Sequence, residues 1–477
     1  MLTYLKKHWL KTLLLLLLFW VIGACAPFYL PKSVSPENLE TYRLTTDSPS
    51  TLCTDRAILL ETNTSALAER IRLINQAQTR IILSTFDIRL GESASDLAAL
   101  LLHKADEGVQ IQILTDGFNT TLHMEGHAFF YALSSHPNIE IRQYNPLNPL
   151  LPWTTQGRMH DKYVIVDDLA YILGGRNTFD YFLGDYETAD MSYDREVLVY
   201  NTSPGQAGQE TSLTELEDYF DSVWNLDVCK PFHNDEKLAE KEDVQAERAL
   251  LEERYEQLTS QSPELFTDYD YVSASHPVNS VTLLRGEIGI YGKEPLVLYQ
   301  LSQLMNQAQE RVIIHTPYAV CNSYMYQVLE EVAKTVPDVT LMINSIENGD
   351  NVCASSDYLY NKKNLVRTGI PIYEYDGGLS YHGKSIVIDD HISIIGSYNF
   401  DMRSTYVDTE LMLVIDSQSF TEELTGYMET YQADCRKVLD AKTYEVPEHV
   451  TVTPLSGKKK AIMHVLGIVE QFFRFLV

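Results

Sequence analysis

The feature that most constrains how this chain folds is an internal repeat. Asn75-Gln76-Ala77-Gln78-Thr79-Arg80 runs into the apolar stretch 81–86, and Asn306-Gln307-Ala308-Gln309-Glu310-Arg311 runs into 312–317. Each copy reads as the end of a helix followed by a buried strand. A further helical stretch (97–106 and 324–334) and a second apolar strand (109–114 and 339–343) follow in both copies. Strands alternating with helices specify an α/β fold, and the duplication specifies two similar halves, expected at 45–231 and 276–450. Between them, 232–261 is rich in Glu, Lys and Ala and lacks Gly and Pro, so 232–275 is expected to be a charged helical linker, solvated rather than binding.

Each half then reaches the same constellation. The first copy is His160-Asp161-Lys162, the run 163–166, Asp167, six further residues and Gly174-Gly175-Arg176-Asn177. The second is His382-Gly383-Lys384, the run 385–388, Asp389, again six residues and Gly396-Ser397-Tyr398-Asn399. Side chains two apart on extended backbone share a face, so each histidine is expected beside its lysine. The Gly-Gly or Gly-Ser pair permits a tight turn and close backbone approach, which can bring Asn177 or Asn399 to the same place.

One half thus offers an imidazole, a cation and an amide; two halves offer both faces of one substrate atom. In-line displacement at phosphorus needs a nucleophile on one side and a proton donor for the leaving oxygen on the other. Lysine and asparagine stabilise charge on the non-bridging oxygens, a role otherwise often given to metal ions. No cofactor and no metal are expected. A lone His-x-Lys is common; its recurrence at matching points of a duplicated unit is what carries weight.

These motifs resemble the two HKD motifs of the phospholipase D superfamily, over nearly the whole chain after the N-terminal segment. Arg158-Met159-His160, Gly174-Gly175-Arg176-Asn177, the run 396–405 and Ser135-His136-Pro137 before Tyr144-Asn145-Pro146 are similar to the C-type subgroup of bacterial cardiolipin synthases. The resemblance implies two phospholipase D-type α/β/α halves about a pseudo-twofold axis, with one active site at their interface. It implies His160 as nucleophile, forming a phosphohistidine, and His382 as general acid and then base. Lys162, Lys384, Asn177 and Asn399 would hold the phosphate, with Ser397 in support. Asp167 and Asp389 would be the motifs' structural carboxylates, buried and paired, and Glu196 and Glu410 the acids that orient the histidines.

Charge and chain ends narrow the substrate. Lys and Arg total 37 against 66 Asp and Glu, a formal net charge of −29. Nucleic-acid affinity grows with the phosphates a protein neutralises, so this balance disfavours a nuclease, and no nucleic-acid partner is expected. Lys6, Lys7 and Lys11 precede an apolar run from 13 to 22, and 1–26 reads as a signal or membrane anchor. Ile22-Gly23-Ala24-Cys25 resembles a bacterial lipobox with Cys25 as the lipidation candidate; the alternative is an uncleaved helix. Both place the catalytic region on the extracytoplasmic side of the cell membrane. Near the other end, Lys458-Lys459-Lys460 precedes apolar residues at helical spacing, so 456–477 is expected to be an amphipathic membrane helix.

The expected partners are membrane phospholipids and the membrane surface, with a monomer as the active unit. The leading function is phosphatidyl transfer to phosphatidylglycerol, as in a cardiolipin synthase. The alternatives are a phospholipase D releasing phosphatidic acid, a nuclease of the same superfamily and a non-enzymatic lipid-binding module. Cys321 and Cys353 could pair, or remain free thiols.

Overall fold

A computed structural model describes residues 2–46, 53–188, 190–205 and 211–477; the side chains of 1–7, including Lys6 and Lys7, lie outside the described residues. Two nine-stranded sheets dominate. The first runs His276–Pro277, Asp55–Leu60, Glu196–Asn201, Ala170–Gly174, Tyr163–Val166, Arg80–Thr85, Gln110–Asp116, Ile139–Tyr144 and Cys229–Pro231. The second runs Ser280–Arg285, Leu411–Asp416, Ile392–Gly396, Ser385–Ile388, Arg311–His315, Asp338–Asn344, Ile372–Tyr375, Cys435–Val438 and Tyr444–Glu445. Leaving out His276–Pro277 and Tyr444–Glu445, the two orders match strand for strand. In both, the strand after the repeated hexapeptide pairs in parallel with the next strand and antiparallel with the motif strand.

The two sheets face each other across a shared core. Ile82, Tyr163, Ile165, Leu173 and Val197 of the first pack with Ile313, Val387, Ile395, Leu411 and Leu413 of the second. Helices Ser212–Trp224 and Gln418–Ala433 close its sides with Leu216, Phe220, Phe420 and Leu424. Separate apolar layers cover the outer faces: Asn63–Asn75 and Glu92–Asp106 on the first half, Leu296–Met305 and Ser323–Thr335 on the second. Continuous burial on both faces explains why the central strands read as unbroken apolar runs.

The repeated hexapeptide has a specific partner. Asp167, at a φ of 48°, turns its carboxylate to the amides of Gln78, Thr79 and Arg80 at 2.7, 3.0 and 2.7 Å. Asp389, at a φ of 54°, does the same for Gln309, Glu310 and Arg311. Aspartate tolerates this left-handed backbone better than most residues. Burial pulls each carboxyl upward, but the Thr79 hydroxyl with those amides at Asp167, and the amides at Asp389, more than offset it and hold both below the usual range. The motif aspartates therefore differ from the expectation: they are half-buried and pin a turn through backbone amides, at the opposite end of the motif strand from the lysines.

Three peripheral segments also depart from expectation. The charged stretch contains a helix, Glu242–Gln261, that is seated on the first half rather than free in solvent. Val244, Leu251 and Leu258 are buried, Tyr255 stacks on His103 at 3.8 Å, and Arg254 pairs with Asp96 at 2.6 Å. The C-terminal helix Gly457–Glu470 lies along Val352–Val366, burying Met463, Gly467 and Glu470, while Arg474 pairs with Asp357 at 2.6 Å. Its other face, with Ile462, Val465, Ile468 and Val469, is exposed, as is Phe472 just beyond its end. At the N-terminus, the helix Leu2–Cys25 leads into a tight turn, Ala26–Phe28. The stretch apolar enough to cross a membrane is His8–Phe28, 21 residues, longer than the 13–22 run because Trp9, Leu10 and Phe28 extend it. All six cysteines are free, with Cys321 buried and Cys353 exposed.

Candidate active site

Both motif histidines sit just before their strands, where a cross-half contact holds each backbone. The amide of His160 donates to the Thr409 hydroxyl at 3.2 Å, and that of His382 to the Tyr193 carbonyl at 2.6 Å. Each ring is then anchored through Nδ1 by a carboxylate from the opposite half. His160 Nδ1 lies 2.9 Å from Glu410 Oε1, and His382 Nδ1 lies 2.6 Å from Asp194 Oδ2. Tying up Nδ1 fixes the ring orientation and turns Nε2 toward the reacting group, with Lys384 Nζ 3.1 Å from that of His382.

The lysines follow the same plan. Lys162 donates to the His160 carbonyl at 2.6 Å, and Lys384 donates to the His382 carbonyl. Lys384 Nζ also sits 2.7 Å from His382 Nδ1 and 4.0 Å from Asp194. Burial lowers both lysines from their ordinary range, Lys162 to about 7. The amide oxygens of Asn177 and Asn399 are buried with no hydrogen-bond partner among the described residues. Such orphaned groups fit a ligand that supplies the missing bonds, and exchange of amide O and N would present donors to a phosphate.

The two histidines are not equivalent. Burial and the neighbouring Lys162 hold His160 well below its usual range. Burial and Lys384 lower His382 too, but Asp194 opposes them. Burial would raise the Asp194 carboxyl, yet Lys384 and His382 more than offset it, so Asp194 stays ionised. Burial pushes Glu410 up to about 8, against the pull of Lys162. Burial thus disfavours the charged form of both rings, His160 the more strongly, and His382 is the ring whose protonated form has an anionic partner beside it.

Asp194 is the residue the sequence reading missed, and Glu196 is the correction. Glu196 is fully buried and receives two hydrogen bonds from Arg70, at 2.7 and 2.6 Å, with Arg176 3.6 Å away. It orients no histidine because its strand turns it toward the outer layer of its own half. The signal was available as Asp194-Arg195-Glu196 against Asp408-Thr409-Glu410, an acidic pair in each half. Which acid reaches the histidine follows from the Gly-Gly and Gly-Ser turns. A Cβ at Gly175 would collide with the Asp194 carboxylate. At the matching position, Ser397 instead gives its hydroxyl to Glu410 and accepts the Leu411 amide at 3.1 Å, so it supports Glu410 rather than a phosphate. Asp408 is taken by Arg403, at 2.8 Å, and by the Arg158 amide, at 3.1 Å.

The site opens into a cleft of about 990 Å³, lined by His382 and Asn177 with Phe86, Phe182, Tyr318 and Asp350 among others. Phe86 packs edge-on to His160, with ring centroids 5.0 Å apart, and lines the cleft. Asp87, Asp190 and Asp350 give the rim an acidic character, and the one arginine there, Arg89, is paired with Asp87 at 2.6 Å.

Comparison with known proteins agrees with this geometry. The family model described as "Cardiolipin synthase, PLD-like domain" matches residues 70–224 and 301–431, one segment in each half. The chain belongs to this phospholipase D-like family. It is 27% identical to cardiolipin synthase C of Escherichia coli K12 over 401 residues, covering 76% of this chain and 82% of that protein. It is 26% identical to cardiolipin synthase B of Salmonella typhi, covering 80% and 81% of the two chains. Among solved structures, the phosphatidylserine synthase of Haemophilus influenzae matches with a TM-score of 0.63 at 14% identity, over 88% of this chain and 95% of that one, a likeness of fold.

Proposed function

We propose that the protein is a phosphatidyltransferase that makes cardiolipin, working through a phosphohistidine. The observation that carries this reading is the pair of motif histidines, each oriented by a carboxylate of the opposite half, so that both are available to one phosphodiester. Relatives named cardiolipin synthase over most of the chain support the substrate class.

In the scheme, His160 Nε2 attacks phosphorus as the neutral ring. The P–O bond to the leaving alcohol breaks, and protonated His382 donates its proton to that oxygen. Lys162, Lys384, Asn177 and Asn399 carry the charge that accumulates on the non-bridging oxygens. His382, now neutral, takes the proton of the acceptor hydroxyl, whose oxygen attacks phosphorus and releases His160. Asp194 stabilises the imidazolium of His382 in both directions. The chain holds both histidines, so a monomer suffices.

The acidic rim repels a polyanion, which supports a lipid over a nucleic acid. The apolar N-terminal helix and the exposed apolar face of the C-terminal helix would place the cleft at a membrane. Lys6, Lys7 and Lys11, which precede the 13–22 apolar run, would leave the catalytic region extracytoplasmic. Lipid mass spectrometry after incubation with phosphatidylglycerol vesicles tests the reading. Cardiolipin with free glycerol is the expected result. Phosphatidic acid alone would make the protein a hydrolase, and no lipid product would overturn the assignment.

A further inference from the structure

A second, smaller cavity lies beside the catalytic cleft. It measures about 380 Å³ and is walled by Trp20 of the N-terminal helix, Phe118, Leu147, Pro149 and Phe86, with Arg158 and Arg403 at its base. This is within the size range of small-molecule pockets. Its charged residues are already engaged. Arg158 donates to the Asn145 carbonyl at 2.6 Å, and Arg403 donates to the Gln156 carbonyl at 2.6 Å and pairs with Asp408. The groove therefore presents hydrocarbon and aromatic surface, with no unspent cation for an anionic ligand.

Its two ends are informative. At one end Phe86 is a shared wall, lining this groove and the catalytic cleft and touching His160. At the other end Trp20 belongs to the 21-residue apolar stretch. That helix is held in place by a close approach, since a Cβ on Gly23 would stand 2.7 Å from the Pro152 side chain. Around the groove, Phe118, Leu122, Leu147, Leu150, Leu151 and Trp153 are all exposed. Exposed apolar residues gathered in one region mark an interaction surface rather than ordinary solvent-facing protein.

Resting on the phospholipid reading above, we propose that this groove takes an acyl chain of the lipid whose phosphate occupies the catalytic cleft. Phe86 separates the two parts of one substrate: the phosphodiester lies on the histidine side, and the hydrocarbon lies on the Trp20 side. The lipid thus reaches the histidines with its tail still in apolar surroundings, passed from the membrane along the N-terminal helix. Because the groove offers the tail a surface as apolar as the bilayer it leaves, drawing the lipid toward the histidines exposes little hydrocarbon to water.

The test uses the full-length protein with phosphatidylglycerol vesicles carrying a diazirine in the acyl chain, irradiated and mapped by peptide mass spectrometry. Label is expected on the peptides bearing Trp20, Phe118 and Leu147. The double variant Phe118→Gln, Leu147→Gln, whose side chains are partly exposed and so replaceable without loss of the core, should lose at least about tenfold of that label. The label on the C-terminal helix should be retained, which separates a lost groove from lost membrane contact. The same variant should lose a similar factor in kcat/KM on long-chain phosphatidylglycerol. Label confined to other segments, or undiminished in the variant, overturns the proposal. Groove labelling without any lipid product would leave the groove standing and sink the transferase reading instead.

Discussion

Replacing Asp194 by asparagine keeps the shape of the site and removes one charge. The carboxylate lies 2.6 Å from His382 Nδ1 and 4.0 Å from Lys384 Nζ, and it is almost fully buried. Two unit charges about 4 Å apart interact by about 4 kcal/mol at an effective dielectric constant of about 20. Allowing for relaxation, loss of roughly half that attraction lowers the His382 pKa by about 1–2 units, at 1.36 kcal/mol per unit. The sign follows from the role. His382 acts as acid in its protonated form, so a lower pKa moves the alkaline limb of the kcat/KM profile to lower pH. The smaller protonated fraction at neutral pH should lower kcat by about 10–100-fold, tenfold for each unit. The assay is initial rates of lipid product across pH, with thermal unfolding to confirm that the fold persists. Asp408→Asn is the control: its carboxylate serves Arg403 and the Arg158 amide, so stability falls while the alkaline limb stays. An Asp194→Asn enzyme with an unmoved alkaline limb and kcat within about twofold of the parent would refute the assignment of His382 as the acid.

Four further outcomes are expected. His160→Ala should abolish both turnover and the acid-labile phosphoenzyme, detected with labelled lipid; normal turnover would remove His160 as nucleophile. EDTA should leave activity largely intact, because protein cations and amides supply the charge stabilisation; strict metal dependence in a titration would contradict this. Glu196→Gln should destabilise the protein by about 3–5 kcal/mol by leaving Arg70 unpaired in the interior, read by denaturant unfolding, without moving the pH profile of the surviving folded enzyme. Removing residues 458–477 should weaken liposome binding in sedimentation, since the exposed face of Gly457–Glu470 goes with them; full retention by a chain also lacking the first 25 residues would exclude both ends as membrane contacts.

The architecture was legible because it is written in local pattern twice. Apolar runs such as 81–83 and 312–314 lie in strands buried on both faces, and the motif aspartates bind the very hexapeptide whose recurrence announced the duplication. The histidines and lysines were legible for the same reason. What stayed hidden depends on packing between distant segments. Asp194 and Glu196 sit two apart on one chain, and only the free space beside Gly175 decides that Asp194 reaches His382. Charge density in Glu242–Gln261 concealed three buried residues, Val244, Leu251 and Leu258, spaced seven apart, which seat that helix on the first half. The groove was invisible because Trp20, Phe118 and Leu147 meet only in three dimensions.

The exchange of carboxylates between halves also sets a timetable. Glu410 stands 250 residues after His160 in the chain, and Asp194 stands 188 residues before His382. A ribosome that has finished the first half has made one histidine with no acid to aim it and one acid with nothing to aim. The chemistry can begin only when the last long strand, Leu411–Asp416, has joined its sheet beside Glu410. Neither half alone therefore holds an oriented histidine, and the site is completed only once both sheets have formed and met.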